Sequence, residues 1–365
     1  MLTSELVKNF KIDGELVNQQ EIDTGHINNT FVVTVAEEDG LLEKYTFQVI
    51  NTNVFKDPWS LMENTRMVTE HIREKLVKRN INPQRRVLEF IQAENGSYLY
   101  CDDEGKYWRA YRFVQNACSY DQTKDMFIIE SAGKTFGRFQ KYLADFPIEK
   151  LTETIPGFHD TRQRFGVFKE AFFKDSHNRA KGCMETIEKV LSREKFASYF
   201  MEMLDNQEIP LRVTHNDTKF NNVLIDNETH KGVCVIDLDT VMPGLSVFDF
   251  GDAIRFAANT AAEDEPDLNK VHLDMEVFDA FAKGFIGSVK ESLTKTEIIN
   301  MHFGAMMMTF EVGMRFLTDY LEGDVYFKTK YPEHNLVRAR CQIKLFEEMW
   351  DRQEEMLASV MKHAN

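Results

Sequence analysis

The sequence has few of the features that mark secreted, zinc-binding or membrane-spanning proteins. Its five cysteines are odd in number, scattered along 365 residues, and nowhere spaced as C-x-x-C. This excludes a cysteine zinc site and a disulfide framework and favours a reducing compartment. No stretch approaches the ~18 consecutive apolar residues of a spanning helix, and the N-terminal region has no apolar signal-peptide core. We therefore expect a cytoplasmic protein.

Basic residues are fewer than acidic residues in this sequence. The chain has 44 Lys and Arg against 59 Asp and Glu, a formal net charge of −15. Such a surface has no general attraction for nucleic acids or anionic bilayers, so neither is an expected partner. With 43% hydrophobic and 28% charged residues, the chain can bury a core. Its length corresponds to two units of ~150 residues each.

The pattern of apolar residues divides the chain in two. Up to about residue 115, alternating segments such as 30–35 and 45–49 predict strands, turns at 38–40 and 102–105 predict hairpins, and residues 59–78 predict one helix. Later segments with helical spacing predict long helices at 124–146, 162–191, 194–206, 275–288, 296–321 and 338–361. We expect an α+β, bilobal, protein-kinase-like fold. A nucleotide-binding lobe of antiparallel strands would span residues 1–115, and a mainly helical catalytic lobe would span 116–365.

One non-helical block, residues 212–250, interrupts the helices and carries the most informative motif. His215, Asp217 and Asn222 match the H-x-D-x-x-x-x-N catalytic loop of kinases, and Asp237 follows the next strand, as the metal-binding Asp does there. Asp217 would orient a substrate hydroxyl, while Asn222 and Asp237 offer the oxygen ligands that Mg²⁺ prefers. Alternatively, both aspartates are ordinary turn residues beside a hairpin. The combined spacing favours the catalytic interpretation, with His215 as a structural residue.

A second candidate lies in the turn that holds Gly25 and His26. Small polar residues there, including Asn28, Asn29 and Thr30, could let backbone N–H groups approach a nucleotide phosphate. The turn has one glycine and lacks G-x-G-x-x-G, so a plain hairpin turn explains it equally well.

Longer segments resemble a known family. GHINNTFVVT, VTHNDTKFNNVLID, VIDLDTVMPG, GMRFLTDYLEGDVYF and KYPEHNLVRARCQIKL are similar to the N-acetylhexosamine 1-kinases, within the aminoglycoside phosphotransferase and choline kinase superfamily. The similarity runs from about residue 25 to 345. It implies ATP-dependent phosphorylation of the C1 hydroxyl of GlcNAc or GalNAc, with Mg²⁺ as cofactor and ATP and the sugar as partners.

The resemblance also assigns residues. It implies Asp217 as the catalytic base and Asn222 and Asp237 as metal ligands, with Asp239 as a further ligand or a neighbour of one. His26, Arg315 and Tyr326 would bind the sugar or phosphate. By analogy with kinase hinges, residues 112–115, with Phe113 and Gln115, would contact adenine. Independently of the resemblance, Asp249 and Asp252 in the segment FDFGDAIR are expected to anchor the large lobe by hydrogen bonds and not to touch substrate.

Two positions leave alternatives open. Gln48 stands where protein kinases carry a phosphate-binding Lys, and an amide brings no charge. The hexosamine kinases share this glutamine, so charge compensation would fall to Mg²⁺ and to another group such as Arg315. Arg315, however, precedes Asp319 and Glu322 at helical spacing and could form only a surface ion pair with them.

The competing functions are another small-molecule kinase on this scaffold, acting on choline, homoserine or an aminoglycoside, and a non-catalytic nucleotide or sugar sensor. The missing lysine suggests the sensor, and the complete Asp217, Asn222 and Asp237 set argues against it.

Overall fold

The computed structural model describes residues 4–22, 28–37 and 39–365. His26 and Gly25 of the expected phosphate turn, and Glu38 of the first hairpin turn, lie outside these ranges.

The small lobe is built on one antiparallel sheet. Its strands are β1 (Glu15–Ile22), β2 (Asn29–Ala36), β3 (Leu42–Val49), β4 (Phe90–Ile91), β5 (Tyr100–Cys101) and β6 (Tyr107–Arg112). The strand order is β1-β2-β3-β6-β4, and β5 pairs with β6. A short helix α1 (Ser4–Val7) precedes β1.

The two faces of this sheet differ in character because side chains alternate along each strand. Val33, Val35 and Phe47 are fully buried on the face covered by the segment that carries Phe10. The opposite face carries polar residues, among them Gln48, which lies opposite Arg109 in the β3–β6 register.

The expected helix after the sheet forms as α2 (Pro58–Lys78), with Asp57 as its N-cap. The Asp57 side chain accepts hydrogen bonds from the N–H groups of Trp59 and Ser60, which satisfies two donors of the first turn. Its apolar residues Val68, Ile72 and Leu76 belong to the core of the large lobe. The C-terminal part of the helix therefore packs on the large lobe, while Leu61 and Met62 near its start pack on Ile50, Phe55 and Leu99 of the small lobe.

The large lobe is mainly helical. Its helices are α3 (Met126–Leu143), α4 (Thr161–Lys174), α5 (Met184–Leu191), α6 (Glu194–Asp205), α7 (Ser246–Ala257), α8 (Met275–Val289), α9 (Lys295–Ile299), α10 (Met301–Glu322), α11 (His334–Asp351) and α12 (Gln353–Ala364). Helix α10 packs on α7 and α11, and α3 packs on α8. Met306, Met307 and Met308 are buried in this core, as expected for a packing role.

Three predicted helices are each divided in the structure. The 162–191 segment breaks at Asp175, which has φ 35° and accepts hydrogen bonds from the N–H groups of Arg179 and Ala180. The 296–321 segment changes direction at Asn300, and the 338–361 segment at Arg352. The first break spans residues 175–183 and the other two are single residues; apolar residues recur at helical spacing on both sides of each, so the pattern alone does not reveal them.

Short strands between the helices position the catalytic block. They are β7 (Ala117–Cys118), β8 (Arg212–Thr214), β9 (Val223–Asp226), β10 (Gly232–Val235) and β11 (Met242–Gly244). Strands β9 and β10 form the expected antiparallel hairpin, and β8 pairs with β11. Within the described ranges, no helix combines the length and the apolar character needed to cross a membrane.

Candidate active site

The loop that follows β8 is fixed from below by helix α7. The Asp249 carboxylate accepts hydrogen bonds from the backbone N–H groups of His215 (2.9 Å) and Asn216 (2.8 Å) and from the Gln140 side chain (2.7 Å). Burial raises the pKa of Asp249. Asn216 has φ 62°, a left-handed conformation that asparagine tolerates better than most residues. Asp249 therefore anchors the loop, as the sequence predicts.

His215 joins the loop to the strand that carries the expected metal ligand. Its Nε2 lies 2.8 Å from the carbonyl oxygen of Ile236, and its ring packs edge-on against Phe136 and Phe139. The side chain is fully buried. These contacts give His215 the structural role that the sequence predicts for it.

Asp217 points into the cleft with two polar neighbours. Lys219 Nζ lies 3.0 Å from Asp217 Oδ1, and Asn222 Nδ2 lies 3.2 Å from Oδ2. Burial alone would raise the pKa of Asp217, but the charges of Lys219 and His215 outweigh it and hold the pKa below its usual value. An ionised carboxylate at neutral pH is what a hydroxyl-orienting residue requires. Sequence reasoning missed Lys219, although it stands two residues after Asp217 inside the recognised motif.

Asp237 completes this group from the end of β10. The N–H of Ile236 donates to the Asn222 carbonyl at 2.9 Å, so the two segments are directly joined. Asp237 has φ 59° and an exposed side chain. Loss of hydration among the surrounding protein atoms raises the pKa of Asp237, and the charges of Asp239 and Asp217 raise it further, to about 6. The structure thus brings Asp217, Asn222 and Asp237 together.

This group fits a divalent cation through its charge. Repulsion from Asp239 and Asp217 raises the pKa of Asp237, and a bound cation would relieve that repulsion. Among the described residues, no three Asp, Glu, His or Cys side chains are close enough to hold a metal ion by themselves. A cation held by Asn222 and Asp237 would therefore need ligands from a nucleotide or from water, which is typical of Mg²⁺.

Asp239 lies close to this group, but both of its carboxylate oxygens contact residues of the small lobe. One of its oxygens accepts a hydrogen bond from Asn28 Nδ2 at 2.5 Å, and the other lies 2.5 Å from Arg109 Nη1. Asp239 is 4% exposed and Arg109 is 2% exposed. The structure places Asp239 as a link between the lobes, which supports the alternative that it neighbours the ligands.

Arg109 is the main cleft residue that sequence reasoning missed. Its Nε and Nη2 donate to Gln48 Oε1 at 3.0 and 2.8 Å, and Gln48 Nε2 donates to Thr30 Oγ1 at 3.1 Å. A signal was present: in the β6 sequence YWRAYR, strand alternation places Arg109 on the opposite face from the buried Trp108 and Ala110.

The other residues predicted to bind the nucleotide lie in β2, in the segment before it and in the expected hinge, and their role stays a prediction. Asn29 is exposed, while Asn28 is buried and also accepts the N–H of Asn51 through its side-chain oxygen. In the expected hinge, the N–H of Phe113 donates to the Lys44 carbonyl, so that donor serves the sheet, whereas Gln115 is exposed.

Arg315 and Tyr326, the described sugar candidates, lie against each other. The Arg315 guanidinium is 5.7 Å from the centre of the Tyr326 ring and similarly close to Phe158 and Phe327. Its ion pair is with Glu311, at 3.6 Å. Asp319, the competing partner expected from the sequence, instead accepts backbone N–H groups of residues 325–327. The alternative interpretation, that Arg315 pairs with a nearby carboxylate of its own helix, therefore holds for Glu311 and not for Asp319.

A buried chain of polar contacts connects Arg315 to the catalytic loop. Glu311 Oε1 lies 3.0 Å from His159 Nδ1, and His159 Nε2 lies 3.2 Å from the carbonyl oxygen of Asn216. Burial opposes the charged form of both groups, but each stabilises the other, so the pKa of His159 is raised and that of Glu311 is lowered. His159 lies in a loop before α4 and belongs to no motif recognised in the sequence.

Comparison with solved structures gives the same overall arrangement. The chain superposes on an aminoglycoside phosphotransferase from Alicyclobacillus acidocaldarius with TM-score 0.64 and 9% identity, covering 100% of this chain and 96% of that one. It superposes on choline kinase from Cryptosporidium parvum with TM-score 0.58 and 14% identity, covering 95% of this chain and 93% of that one. It superposes on an amicoumacin kinase solved with AMP-PNP and Ca²⁺ with TM-score 0.56 and 12% identity, covering 92% of this chain and 88% of that one. At these identities the likeness establishes the fold, which is the bilobal kinase-like fold expected from the sequence.

The sequence itself matches a family. Residues 21–281 match the phosphotransferase enzyme family, a range that begins in β1 and ends within α8. It contains the whole block from His215 to Asp249, and it covers more than half of the chain. The chain therefore belongs to the phosphotransferase enzyme family.

Proposed function

We propose that this protein transfers the γ-phosphoryl group of ATP to the C1 hydroxyl of an N-acetylhexosamine, GlcNAc or GalNAc. The product would be a sugar 1-phosphate and ADP. The observation that carries the choice of substrate is the placement of Arg315 and Tyr326. These residues come from the segments that resemble the hexosamine kinases, and they contact each other beside a polar chain that reaches the catalytic loop.

The chemistry divides among few residues. Asp217, with its lowered pKa, accepts a hydrogen bond from the sugar hydroxyl and aims it at the phosphorus. Lys219 holds the Asp217 carboxylate and adds positive charge where charge develops in the transition state. Because phosphoryl transfer has a loose transition state, positioning and charge stabilisation supply most of the catalysis. Mg²⁺, held by Asn222 and Asp237, would neutralise the phosphate oxygens.

The charge around Arg315 favours a neutral sugar over the cationic substrates of the competing kinases. Burial and the nearby Arg315 charge lower the pKa of Arg164, so two guanidinium groups share this region and Glu311 balances only one of them. Choline and aminoglycosides carry positive charge and would be repelled by them. Sugar hydroxyls and an acetamido carbonyl oxygen are hydrogen-bond acceptors that guanidinium groups can bind.

A substrate panel tests the proposal. Purified protein would be mixed with ATP, Mg²⁺ and one acceptor at a time: GlcNAc, GalNAc, choline, homoserine or kanamycin. We expect ADP release with an N-acetylhexosamine only, and phosphorus-coupled NMR should place the new phosphate on C1. Release with a cationic acceptor instead would reject the sugar assignment. ATP binding without turnover of any acceptor would indicate a sensor.

A variant pair tests the role of Arg315. Replacing it with Met should raise the KM for the sugar and leave the KM for ATP nearly unchanged, because Arg315 belongs to the large-lobe region beside Tyr326. Arg340, on α11, contacts the Gly182 carbonyl at 3.4 Å and is a matched control. Arg340→Met should change neither KM. Equal effects of both variants would contradict a sugar-binding role for Arg315.

A further inference from the structure

Strand β6 of the small lobe carries a buried cation beside the position on β3 where protein kinases have one. Gln48 stands on β3 where protein kinases carry the lysine that binds the α- and β-phosphates. In the β3–β6 register, the residue directly opposite Gln48 is Arg109. Both Nε and Nη2 of Arg109 donate to Gln48 Oε1, at 3.0 and 2.8 Å. The glutamine therefore fixes a guanidinium group one strand away from the usual position of the ammonium group.

The acidic partner of this cation also comes from a different element than in protein kinases. In protein kinases, the β3 lysine pairs with a glutamate of the following helix. Here Glu63 and Glu70 of α2 both pair with Arg66 on the surface. Arg109 pairs with Asp239, two residues after the expected metal ligand, and both partners are almost fully buried. The protein thus has a buried cation and its acid, but each comes from a different element than its counterpart in protein kinases.

Arg109 retains unused hydrogen-bonding capacity. A guanidinium group has five N–H donors, and two of them serve Gln48. Nη1 lies 2.5 Å from Asp239 Oδ1, an ion pair that engages one further donor, so two of the five N–H groups have no hydrogen-bond partner among the described residues. A buried donor without a partner is costly, and a ligand oxygen would satisfy it. Asp237, exposed in the cleft, is close enough for its charge to act on Arg109.

We propose that Arg109 binds the diphosphate group of the nucleotide and supplies the positive charge that a β3 lysine supplies in other kinases. Gln48 orients the guanidinium group, and Asp239 holds it in the absence of nucleotide. The inference rests on the proposed use of ATP. Guanidinium groups suit this task because their planar set of donors matches phosphate oxygens.

Nucleotide binding without metal tests the inference separately from activity. Calorimetric titrations in EDTA would compare ADP with adenosine, which lacks phosphates. For Arg109→Met we expect ADP to bind at least tenfold more weakly and adenosine to bind within about twofold of wild type. Arg162→Met is the matched control, since Arg162 lies on α4 in the large lobe, is exposed and pairs with Asp205. It should leave both affinities unchanged.

Moving the charge back to β3 is the sharper test. Gln48→Lys combined with Arg109→Gln should restore ADP affinity to within about threefold of wild type, since it places a cation at the usual kinase position. If Arg109→Met does not fold, Arg109→Gln with Asp239→Asn removes both buried charges and should show the same selective loss of ADP affinity.

The outcomes separate the two proposals. Equal loss of ADP and adenosine affinity would show that Arg109 only supports the sheet and would overturn the inference. Unchanged ADP affinity in a folded Arg109 variant would also overturn it, and would leave the proposed kinase activity standing. Failure of the wild-type protein to bind either ligand would remove the proposed function, and the inference with it.

Discussion

At the scale of single residues, the catalytic assignment rests on Asp217. Replacing it with Asn preserves size and the contact with Asn222 but removes the negative charge that aims the hydroxyl. We expect sugar-dependent ADP release to fall by about 10³-fold, as is typical for loss of a general base. The rate would be measured at saturating ATP, and circular dichroism would check the fold. Retention of more than about a tenth of the rate would contradict the assignment.

The raised pKa of Asp237 predicts a pH dependence. Its pKa of about 6 lies above the ordinary value of 3.8, so the folded protein holds this proton more tightly than the unfolded chain does. The contribution of this group to stability is therefore present below pH 3.8 and is lost as the pH rises through 6. Asp237→Asn should melt at a higher temperature than wild type at pH 7.5 and show a smaller difference at pH 5.

Measurements without Mg²⁺ or nucleotide keep this comparison clean, since a bound cation would stabilise the ionised wild-type carboxylate. Asp205, an exposed acid on α6 that pairs with Arg162, is a suitable control for replacement by Asn. A melting temperature of Asp237→Asn that is below wild type at pH 7.5 would contradict the prediction.

At the scale of secondary-structure elements, two glycines allow α7 and α10 to approach each other. A Cβ on Gly304 would lie 2.1 Å from the Val247 carbonyl oxygen, and one on Gly251 would lie 2.2 Å from the Gly304 carbonyl oxygen. This contact places Asp249 of α7 under the catalytic loop and Glu311 of α10 beside His159.

Substitution of Gly304 tests that contact. Gly304→Ala should reduce the free energy of unfolding by about 1–3 kcal/mol, because the clash is with backbone that cannot rotate away. Gly287→Ala is the control: no atom lies within 4 Å of its added Cβ, and helix propensity should make it slightly stabilising. Urea unfolding of the two variants would decide, and equal stabilities would contradict the packing argument.

The buried pair of His159 and Glu311 gives a second prediction at this scale. Arg164 and Arg315 also face the pair, yet the pKa of His159 is raised. Its stabilising contribution should be complete below the ordinary pKa of 6.5 and should disappear as the pH rises above the folded-state value. The stability difference between wild type and His159→Gln should therefore be larger at pH 6 than at pH 9 in urea unfolding. A difference that grows with pH would contradict it.

The parts of the structure that the sequence predicted are those set by local pattern or fixed spacing. Strand alternation predicted the small-lobe sheet, and the motif spacing predicted that Asp217, Asn222 and Asp237 meet. Arg109, His159 and Glu311 were missed because their roles depend on contacts between segments 57 to 152 residues apart in the chain. The breaks at Asp175, Asn300 and Arg352 were missed because the apolar residues on either side of them keep helical spacing.

At the scale of the whole molecule, the link between Asp239 and the small lobe predicts how the protein unfolds. Asp239→Asn removes one charge of a buried pair and leaves Arg109 without its acid, a change that typically costs about 3–5 kcal/mol. Differential scanning calorimetry should show a lower melting temperature but still one transition. The lobes should stay coupled because Val68, Ile72 and Leu76 of α2 remain in the core of the large lobe. Two separate transitions would contradict this.

The seating of α2 also limits how this fold can be controlled. Many kinases are switched off by swinging the corresponding helix outward, which separates its glutamate from the lysine. Here such a swing would expose Val68, Ile72 and Leu76, and it would leave Arg109 and Asp239 paired, since neither residue is on α2. Displacing α2 would therefore cost the burial of its apolar residues without separating the buried cation from its acid, so this route to inactivation is disfavoured.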